Sequence, residues 1–103
     1  MKQKLFTRSS QKNSWQIIYS KVFLKDLSKV VPIKRRKLIE KFAFKDLPQF
    51  SSIENAGNIE KMTGYKNHYK VRFGEYRIGI LKNGNTVEIK RVLNRKEIYK
   101  FFP

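Results

Sequence analysis

The chain has 103 residues, of which 24 are Lys or Arg and 8 are Asp or Glu, so that its net charge is +16. This length suits one domain, and the 14% of aromatic residues allow a small core. The absence of cysteine excludes a disulfide framework, a thiolate metal site and a cysteine nucleophile. Because only one histidine is present, a histidine-based metal cluster is also excluded, and we expect no metal and no other cofactor.

The sequence shows no sign of a membrane segment. No stretch approaches 18 consecutive apolar residues, and the first 14 residues are too polar for a signal peptide. We therefore expect a cytoplasmic protein that does not insert into a membrane. The high positive charge favours a polyanionic partner, with nucleic acid first and an acidic protein or an anionic membrane surface as alternatives.

The first half of the chain predicts an N-terminal arm, one strand and two helices. Residues 1–13 have few apolar side chains and predict a flexible basic arm, so that the single domain covers residues 14–103. Aromatic and β-branched residues predict a strand over 15–19. Apolar residues at spacings of three and four predict a helix over 21–31, capped by Ser20, and a second over 33–44.

The second half follows a period of two, after a predicted loop over residues 45–58. Strands are predicted over 59–62, 69–73, 76–81 and 86–93, with two-residue turns at Gly74-Glu75 and Asn83-Gly84. The chain closes with one or two helical turns over 95–102. This order predicts an α+β domain in which two N-terminal helices pack on one face of a small antiparallel sheet.

The turn at Gly74-Glu75 places Arg72 opposite Arg77 and Lys70 opposite Gly79 across two strands. Alternation then separates these cations from a core face formed by Val71, Phe73, Tyr76, Ile78 and Ile80. The turn at Asn83-Gly84 would add Lys90 opposite Arg77. Opposed like charges cost roughly 0.2–1 kcal/mol per pair, so this cationic face favours binding of a polyanion over a merely solvated surface. Gly79 fits either close approach of a ligand or a packing glycine.

Two further sets of residues extend the basic surface. Arg95 and Tyr99 are four apart, so on a helix they share a face. Arg can bind a phosphate through two hydrogen bonds, and Tyr can stack on a base or handle a proton, although Tyr99 also fits a core position with an exposed hydroxyl. The second helix carries a basic run that could grip RNA or simply be solvated, namely Lys34, Arg35, Arg36, Lys37 and Lys41.

The eight acidic residues are scattered and form no convincing catalytic pair. A nuclease built from these residues would therefore use cations and a tyrosine rather than two metal ions. RNA permits such chemistry because its own 2′-hydroxyl can attack the phosphate. The protein then has to orient that hydroxyl, accept its proton and neutralise the developing charge.

The sequence resembles bacterial type II toxins of the RelE/ParE superfamily. The segment WQIIYSKVFLKDLSKV is similar to the family's first strand and helix, YKVRFGEYRIGIL to its central hairpin, and RVLNRKEIYKFF to its final strand and tail. The resemblance covers about residues 15–103. It implies a small twisted antiparallel sheet with two N-terminal helices, and, for RelE-type members, ribosome-dependent cleavage of mRNA through a 2′,3′-cyclic phosphate without a metal.

The resemblance also implies roles for individual residues. Lys70 or Tyr99 would handle the proton of the 2′-hydroxyl, Arg72 and Arg77 would hold the phosphate, and Arg95 would stabilise the transition state or leaving group. Lys90 joins the five basic residues of the second helix as a candidate contact to RNA or the ribosome. The implied partners are mRNA, the ribosome and an acidic antitoxin encoded beside the toxin. Many relatives have His or Lys immediately before the final Arg, where this chain has Asn94.

Two alternatives remain open at this point. A ParE-type toxin would bind DNA gyrase and cut no RNA, although such relatives generally lack the complete set of basic residues and tyrosine. A simple RNA-binding module without chemistry would use the same charge.

Overall fold

The computed structural model describes residues 6–9, 15–56 and 58–103. The helices are α1, α2 and α3, spanning Lys21–Lys29, Ile33–Glu40 and Ile98–Phe101. The strands β1 to β6 span Phe6–Ser9, Gln16–Tyr19, Ile59–Lys61, His68–Phe73, Tyr76–Asn83 and Thr86–Asn94. None of the helices in these residues is long and apolar enough to cross a membrane.

The six strands form one sheet in the order β1-β2-β6-β5-β4-β3. The α+β class is confirmed, with one correction to the strand directions. All neighbouring strands are antiparallel except β2 and β6. The last strand, β6, lies between β2 and β5 and runs parallel to β2. Residues 6–9 also differ from the predicted flexible arm, since they pair with β2 as an edge strand. The rest of the arm lies outside the described residues.

Local signals at the helix ends explain where α1 and α2 begin. The Ser20 hydroxyl caps α1 by accepting a hydrogen bond from the Phe23 backbone N–H at 2.9 Å, as predicted. It also donates to the Lys90 carbonyl at 2.8 Å, which ties the helix start to β6. Pro32 precedes α2, and a π-helical turn over Lys41–Asp46 continues it. The two predicted N-terminal helices are thereby confirmed.

The main core lies between these helices and one face of the sheet. Phe23 and Ile39 pack with Val71, Ile78 and Ile80, all of them buried. A second, smaller apolar cluster covers part of the opposite face and consists of Met62, Leu93, Ile98 and Phe102. The C-terminal helix α3 therefore lies across the sheet from α1 and α2.

The β4–β5 hairpin has the predicted register, with Arg72 opposite Arg77 and Lys70 opposite Gly79. The prediction for the next hairpin is wrong. Asn83 pairs with Thr86, so the turn residues are Gly84 and Asn85. A bulge follows, because Ile80 pairs with Ile89 whereas Gly79 pairs with Arg91.

These two shifts move Lys90 away from its predicted position. It is the extra residue of the bulge, and Leu93 rather than Lys90 lies opposite Arg77. Glu88, on the turn side of the bulge, lies opposite Leu81.

Candidate functional site

Neighbouring strands hold three of the predicted site residues on the face opposite the helices. Lys70 and Arg72 alternate along β4, and Arg77 lies across from Arg72 on β5. The Arg72 side chain is exposed. The Arg77 guanidinium folds over the turn and donates hydrogen bonds to the carbonyls of Gly74 at 2.7 Å and Tyr76 at 3.1 Å. Two guanidinium groups are thus concentrated at one end of the sheet.

The helix α3 brings Tyr99 to Lys70, 29 residues earlier in the chain. The Lys70 ammonium donates a hydrogen bond to the Tyr99 hydroxyl at 3.1 Å and lies 5.4 Å from the centre of its ring. Glu60 on β3 is 4.0 Å from the same ammonium. Tyr99 is 52% exposed, so the phenol hydroxyl is not closed off inside the core. Two groups that can carry a proton therefore meet on an accessible surface.

Arg95 lies just beyond β6, beside the turn that joins β4 to β5. Its backbone N–H donates to the Glu75 carbonyl at 2.7 Å, and its Nε is 3.9 Å from a Glu75 carboxylate oxygen. The Asn94 side-chain oxygen accepts a hydrogen bond from the Lys96 backbone N–H at 2.9 Å. Asn94 therefore organises the turn that presents Arg95 at the same end of the sheet as Arg72 and Arg77.

The sheet surface above Gly79 is not open to a ligand. A side chain at this position would place its Cβ 2.5 Å from the Phe102 ring, which occupies the space above the glycine. The interpretation of Gly79 as a point of ligand approach is thus wrong, and the packing alternative is correct. The sequence offered no local signal for this, because Phe102 lies 23 residues away.

Comparisons with known proteins agree with this architecture. The family model of the ParE toxin of type II toxin–antitoxin systems, parDE, matches residues 17–99. The chain belongs to this toxin family. Toxin RelE3 of Methanocaldococcus jannaschii is 43% identical over 89 residues, which cover 85% of this chain and 99% of the relative.

Solved structures give the same result. The toxin matches a chain of the RelB–RelE antitoxin–toxin complex from Methanococcus jannaschii with a TM-score of 0.66 and 41% identity, over 82% of this chain and 98% of that one. It matches a chain of the RelBE2 complex from Mycobacterium tuberculosis with a TM-score of 0.58 over 77% and 95%. At 24% identity, this second match shows the fold alone. The protein is thus a RelE-like toxin of a type II toxin–antitoxin system, and the ParE-type alternative is not favoured.

The basic run of the toxin's second helix does not act as one uniform surface. Arg36 donates to the carbonyls of Ser28 at 3.1 Å and Val31 at 3.2 Å, and so satisfies backbone groups at the end of α1. Lys41 forms an ion pair with Asp46 at 3.0 Å. The remaining members are Lys34 and Lys37, which are exposed, and Arg35, whose guanidinium lies against Gly74. Lys90, in the bulge, is 3.6 Å from Glu88.

The structure reveals one buried ion pair that the sequence analysis missed, between α1 and β6. Asp26 is 6% exposed, and its carboxylate accepts hydrogen bonds from Arg91 Nε at 2.8 Å and Nη2 at 3.2 Å. It also accepts one from the Val92 backbone N–H at 3.2 Å. A lone acidic residue within the basic α1 sequence was the available signal. Because 65 residues separate the partners, the sequence could not identify Arg91 as that partner.

A second polar cluster fastens the loop before β3 to the sheet. Glu54 accepts hydrogen bonds from Lys82 at 2.9 Å and from the Tyr69 hydroxyl at 3.0 Å. The Lys82 ammonium lowers the pKa of the Glu54 carboxyl from 4.5 to about 2, and in return the bond to Glu54 raises the pKa of Lys82. Burial, followed by the neighbouring carboxylate, raises the pKa of Tyr69. Within residues 6–9, 15–56 and 58–103, no three His, Asp or Glu side chains are grouped so that they could hold a metal ion.

Proposed function

We propose that this toxin is an endoribonuclease that cleaves mRNA on the ribosome, in the cytoplasm and without a metal cofactor. The observation that carries the proposal is the 3.1 Å contact between Lys70 and the accessible Tyr99 hydroxyl, on the sheet face that also carries Arg72 and Arg77. The likeness to RelE toxins over nearly their whole length supports the same activity.

In the proposed reaction, the 2′-oxygen of the RNA attacks the adjacent phosphorus while its proton passes to the neutral amine form of Lys70 or to the phenolate form of Tyr99. The bond from phosphorus to the 5′-oxygen then breaks and that oxygen takes a proton back from the Lys70–Tyr99 pair, which leaves a 2′,3′-cyclic phosphate and a free 5′-hydroxyl. Both proton-carrying groups are hydrogen-bonded to each other, so a proton accepted by one can pass to the other. General acid–base assistance of this kind is worth about 10²–10⁴-fold in rate.

The arginines would stabilise the negative charge that develops on the phosphate. Arg72 and Arg77 face each other across β4 and β5, so a phosphate placed between them would contact two guanidinium groups. Arg95 would neutralise charge on the transition state or on the departing oxygen. A fixed donor aimed at such a charge typically contributes about 10²–10³-fold in rate.

The wider basic surface would hold RNA rather than react with it. We propose that Lys34, Arg35 and Lys37 of α2, and Lys41 of the π-helical turn that follows, contact RNA or the ribosome. Of these, Lys34, Lys37 and Lys41 are exposed. The positive charges of Arg36 and Lys90 add to the attraction, although Arg36 is also bonded to carbonyls at the end of α1. Each phosphate contact formed by this surface would make binding more sensitive to salt.

An acidic antitoxin is the proposed protein partner. The structural relatives are toxins in RelB–RelE antitoxin–toxin complexes, and a partner of negative charge would relieve the self-repulsion of a chain with net charge +16. A groove of about 480 Å³ beside α2 offers apolar contacts for such a partner, among them Leu38, Phe42, Phe50 and Phe73. Leu38 is 51% exposed at its rim.

The test is cleavage of a defined mRNA with and without translating ribosomes, with EDTA in the ribosome-free reactions. Wild type is compared with an Arg95→Ala/Tyr99→Phe variant and with Lys25→Ala, which removes an exposed cation from α1. We expect ribosome-dependent cuts that end in a cyclic phosphate, lost in the double variant and retained in Lys25→Ala.

Two other results would contradict the proposal. If the Arg95→Ala/Tyr99→Phe variant bound the ribosome and cleaved mRNA like wild type, the proposed chemistry at these two residues would be wrong. If wild type produced no cuts in either condition, the RelE-type activity would be wrong, and inhibition of DNA supercoiling by gyrase would be measured next.

A further inference from the structure

The C-terminal turn that carries Tyr99 has little internal stability of its own. The helix α3 has four residues, Ile98–Phe101, and its end is held by two backbone hydrogen bonds, from Lys100 N–H to Glu97 at 3.0 Å and from Phe102 N–H to Ile98 at 2.8 Å. Isolated helices this short are not stable in water. The position of Tyr99 over Lys70 must therefore be fixed by contacts outside the turn.

Phe102 provides such a contact. Its side chain is 3% exposed, and three of its ring atoms lie 2.5–2.8 Å from the position that a Cβ on Gly79 would occupy. The ring therefore rests directly on the backbone of β5, in a space that any other residue at position 79 would fill. His68 flanks the ring with a centroid distance of 5.3 Å, and Ile98 and Leu93 share its apolar cluster.

The site on β5 where the Phe102 ring packs is adjacent to Lys70 and Tyr99, the proposed proton-carrying pair. Gly79 is the cross-strand partner of Lys70, and the Lys70 ammonium reaches the Tyr99 hydroxyl, three residues before Phe102 in the chain. Gly79 thus contacts Phe102, the chain connects Phe102 to Tyr99, Tyr99 contacts Lys70, and Lys70 pairs with Gly79. If the Phe102 ring left Gly79, the Tyr99 hydroxyl would lose its position at Lys70.

We propose that Phe102 is a positioning residue for the reaction, which holds Tyr99 at Lys70 by packing on Gly79. This inference rests on the proposed endoribonuclease function. Phe102 touches neither the substrate nor the reacting atoms in this scheme. Gly79 is then required because only a residue without a Cβ lets the ring approach the sheet closely enough.

The first experiment measures single-turnover cleavage of mRNA by Phe102→Ala, Phe102→Leu and Ile53→Val. Ile53 is buried in the core on the helix side of the sheet, so its variant controls for loss of stability alone. All variants are assayed at a temperature at which circular dichroism shows them folded. We expect Phe102→Ala to lower the rate at saturating ribosomes by about 10²-fold, as for a misplaced catalytic group, with an unchanged half-saturating concentration. Phe102→Leu should recover most of the rate.

The second measurement is a double-mutant cycle with Tyr99→Phe. If Phe102 acts through Tyr99, adding Phe102→Ala to Tyr99→Phe should lower the rate by less than about twofold, whereas independent effects would multiply. Multiplicative effects would overturn the proposal. An equal loss in Ile53→Val, or a change confined to the half-saturating concentration, would overturn it as well.

The third measurement separates this inference from the proposed function. A nuclear Overhauser effect between the Tyr99 ring and the Lys70 side chain reports their contact without any substrate. We expect it in wild type and Ile53→Val, and we expect its loss in Phe102→Ala. If wild type cleaved no RNA but this pattern held, the proposed function would be wrong, although Phe102 would still be shown to hold Tyr99 at Lys70. If the signal survived in Phe102→Ala, the positioning role would be wrong whatever the activity.

Discussion

Replacement of Asp26 by alanine should cost more stability than any change to the surface charges. The substitution leaves the Arg91 guanidinium, whose side chain is only 23% exposed, without its partner, and it removes the acceptor of the Val92 N–H. Breaking a buried ion pair from one side costs about 3–5 kcal/mol. Because Arg91 keeps some contact with water, we expect a loss near the lower end, about 3 kcal/mol.

Two further changes to the Asp26–Arg91 ion pair serve as controls for this test. Asp26→Asn keeps the volume and an acceptor for one donor, so it should lose about 1.5–3 kcal/mol, the value of hydrogen bonds to a charged group. The double variant Asp26→Leu/Arg91→Met replaces the ion pair with apolar groups and should be more stable than either of its single variants, Asp26→Leu and Arg91→Met, because no lone charge remains.

The assay is urea unfolding at pH 7, with all proteins carrying Arg95→Ala so that toxicity does not limit expression. With a slope of about 2 kcal/mol per molar urea, Asp26→Ala should move the midpoint down by about 1.5 M. At that slope, a shift below about 0.5 M would contradict this expectation, because the buried pair would then contribute no more than an exposed one. A coupling energy below about 0.5 kcal/mol in the double variant would refute it as well.

Three further predictions follow from the structure. Glu54→Gln should lower stability at pH 7 by less than about 1 kcal/mol, because the pair with Lys82 is partly exposed, and the difference from wild type should vanish as the pH falls from 4.5 to about 2, where the wild-type carboxyl takes up its proton. The sign follows from a pKa that is lower in the folded state; a difference that grew towards pH 2 would contradict it. Gly79→Ala should displace Phe102 and cost about 1–3 kcal/mol in thermal unfolding, whereas an unchanged melting temperature would mean that the ring is not seated there. Leu38→Asp should weaken binding of the proposed antitoxin by about 10-fold or more in calorimetry while mRNA cleavage continues, and equal binding would place the partner elsewhere.

The sequence was most informative where interactions are local. Period-two patterning and a glycine at the turn were enough to place Arg72 opposite Arg77 and Lys70 opposite Gly79. The next hairpin shows the limit of such reasoning. Gly84 has a φ of +64°, which suits a turn, but it is the first residue of the turn rather than the second, and this difference of one position changes every pair that follows.

Long-range packing accounts for the remaining differences. The bulge that removes Lys90 from the predicted cationic cluster has no signature in the sequence around it. The environment of Gly79 depends on Phe102, and that of Asp26 depends on Arg91, so in both cases the partner is fixed only by the completed sheet. The proposed site residues on one hairpin could therefore be identified together, whereas the contacts that support Tyr99 could not.

The parallel pairing of β2 with β6 has a consequence for the synthesis of the toxin. It joins Gln16 to Thr86, and closing a loop of 70 residues costs about 4 kcal/mol in chain entropy. The strand that completes the centre of the sheet is also the last one to be translated. At about 5–20 residues per second, the 54 residues from the end of α2 to the end of β6 take roughly 3–11 s, during which the helices lack the central strand of the sheet that they cover. Arg95 and Tyr99 come later still, so under the proposed function a new molecule cannot cleave RNA until the segment that follows β6 has left the ribosome.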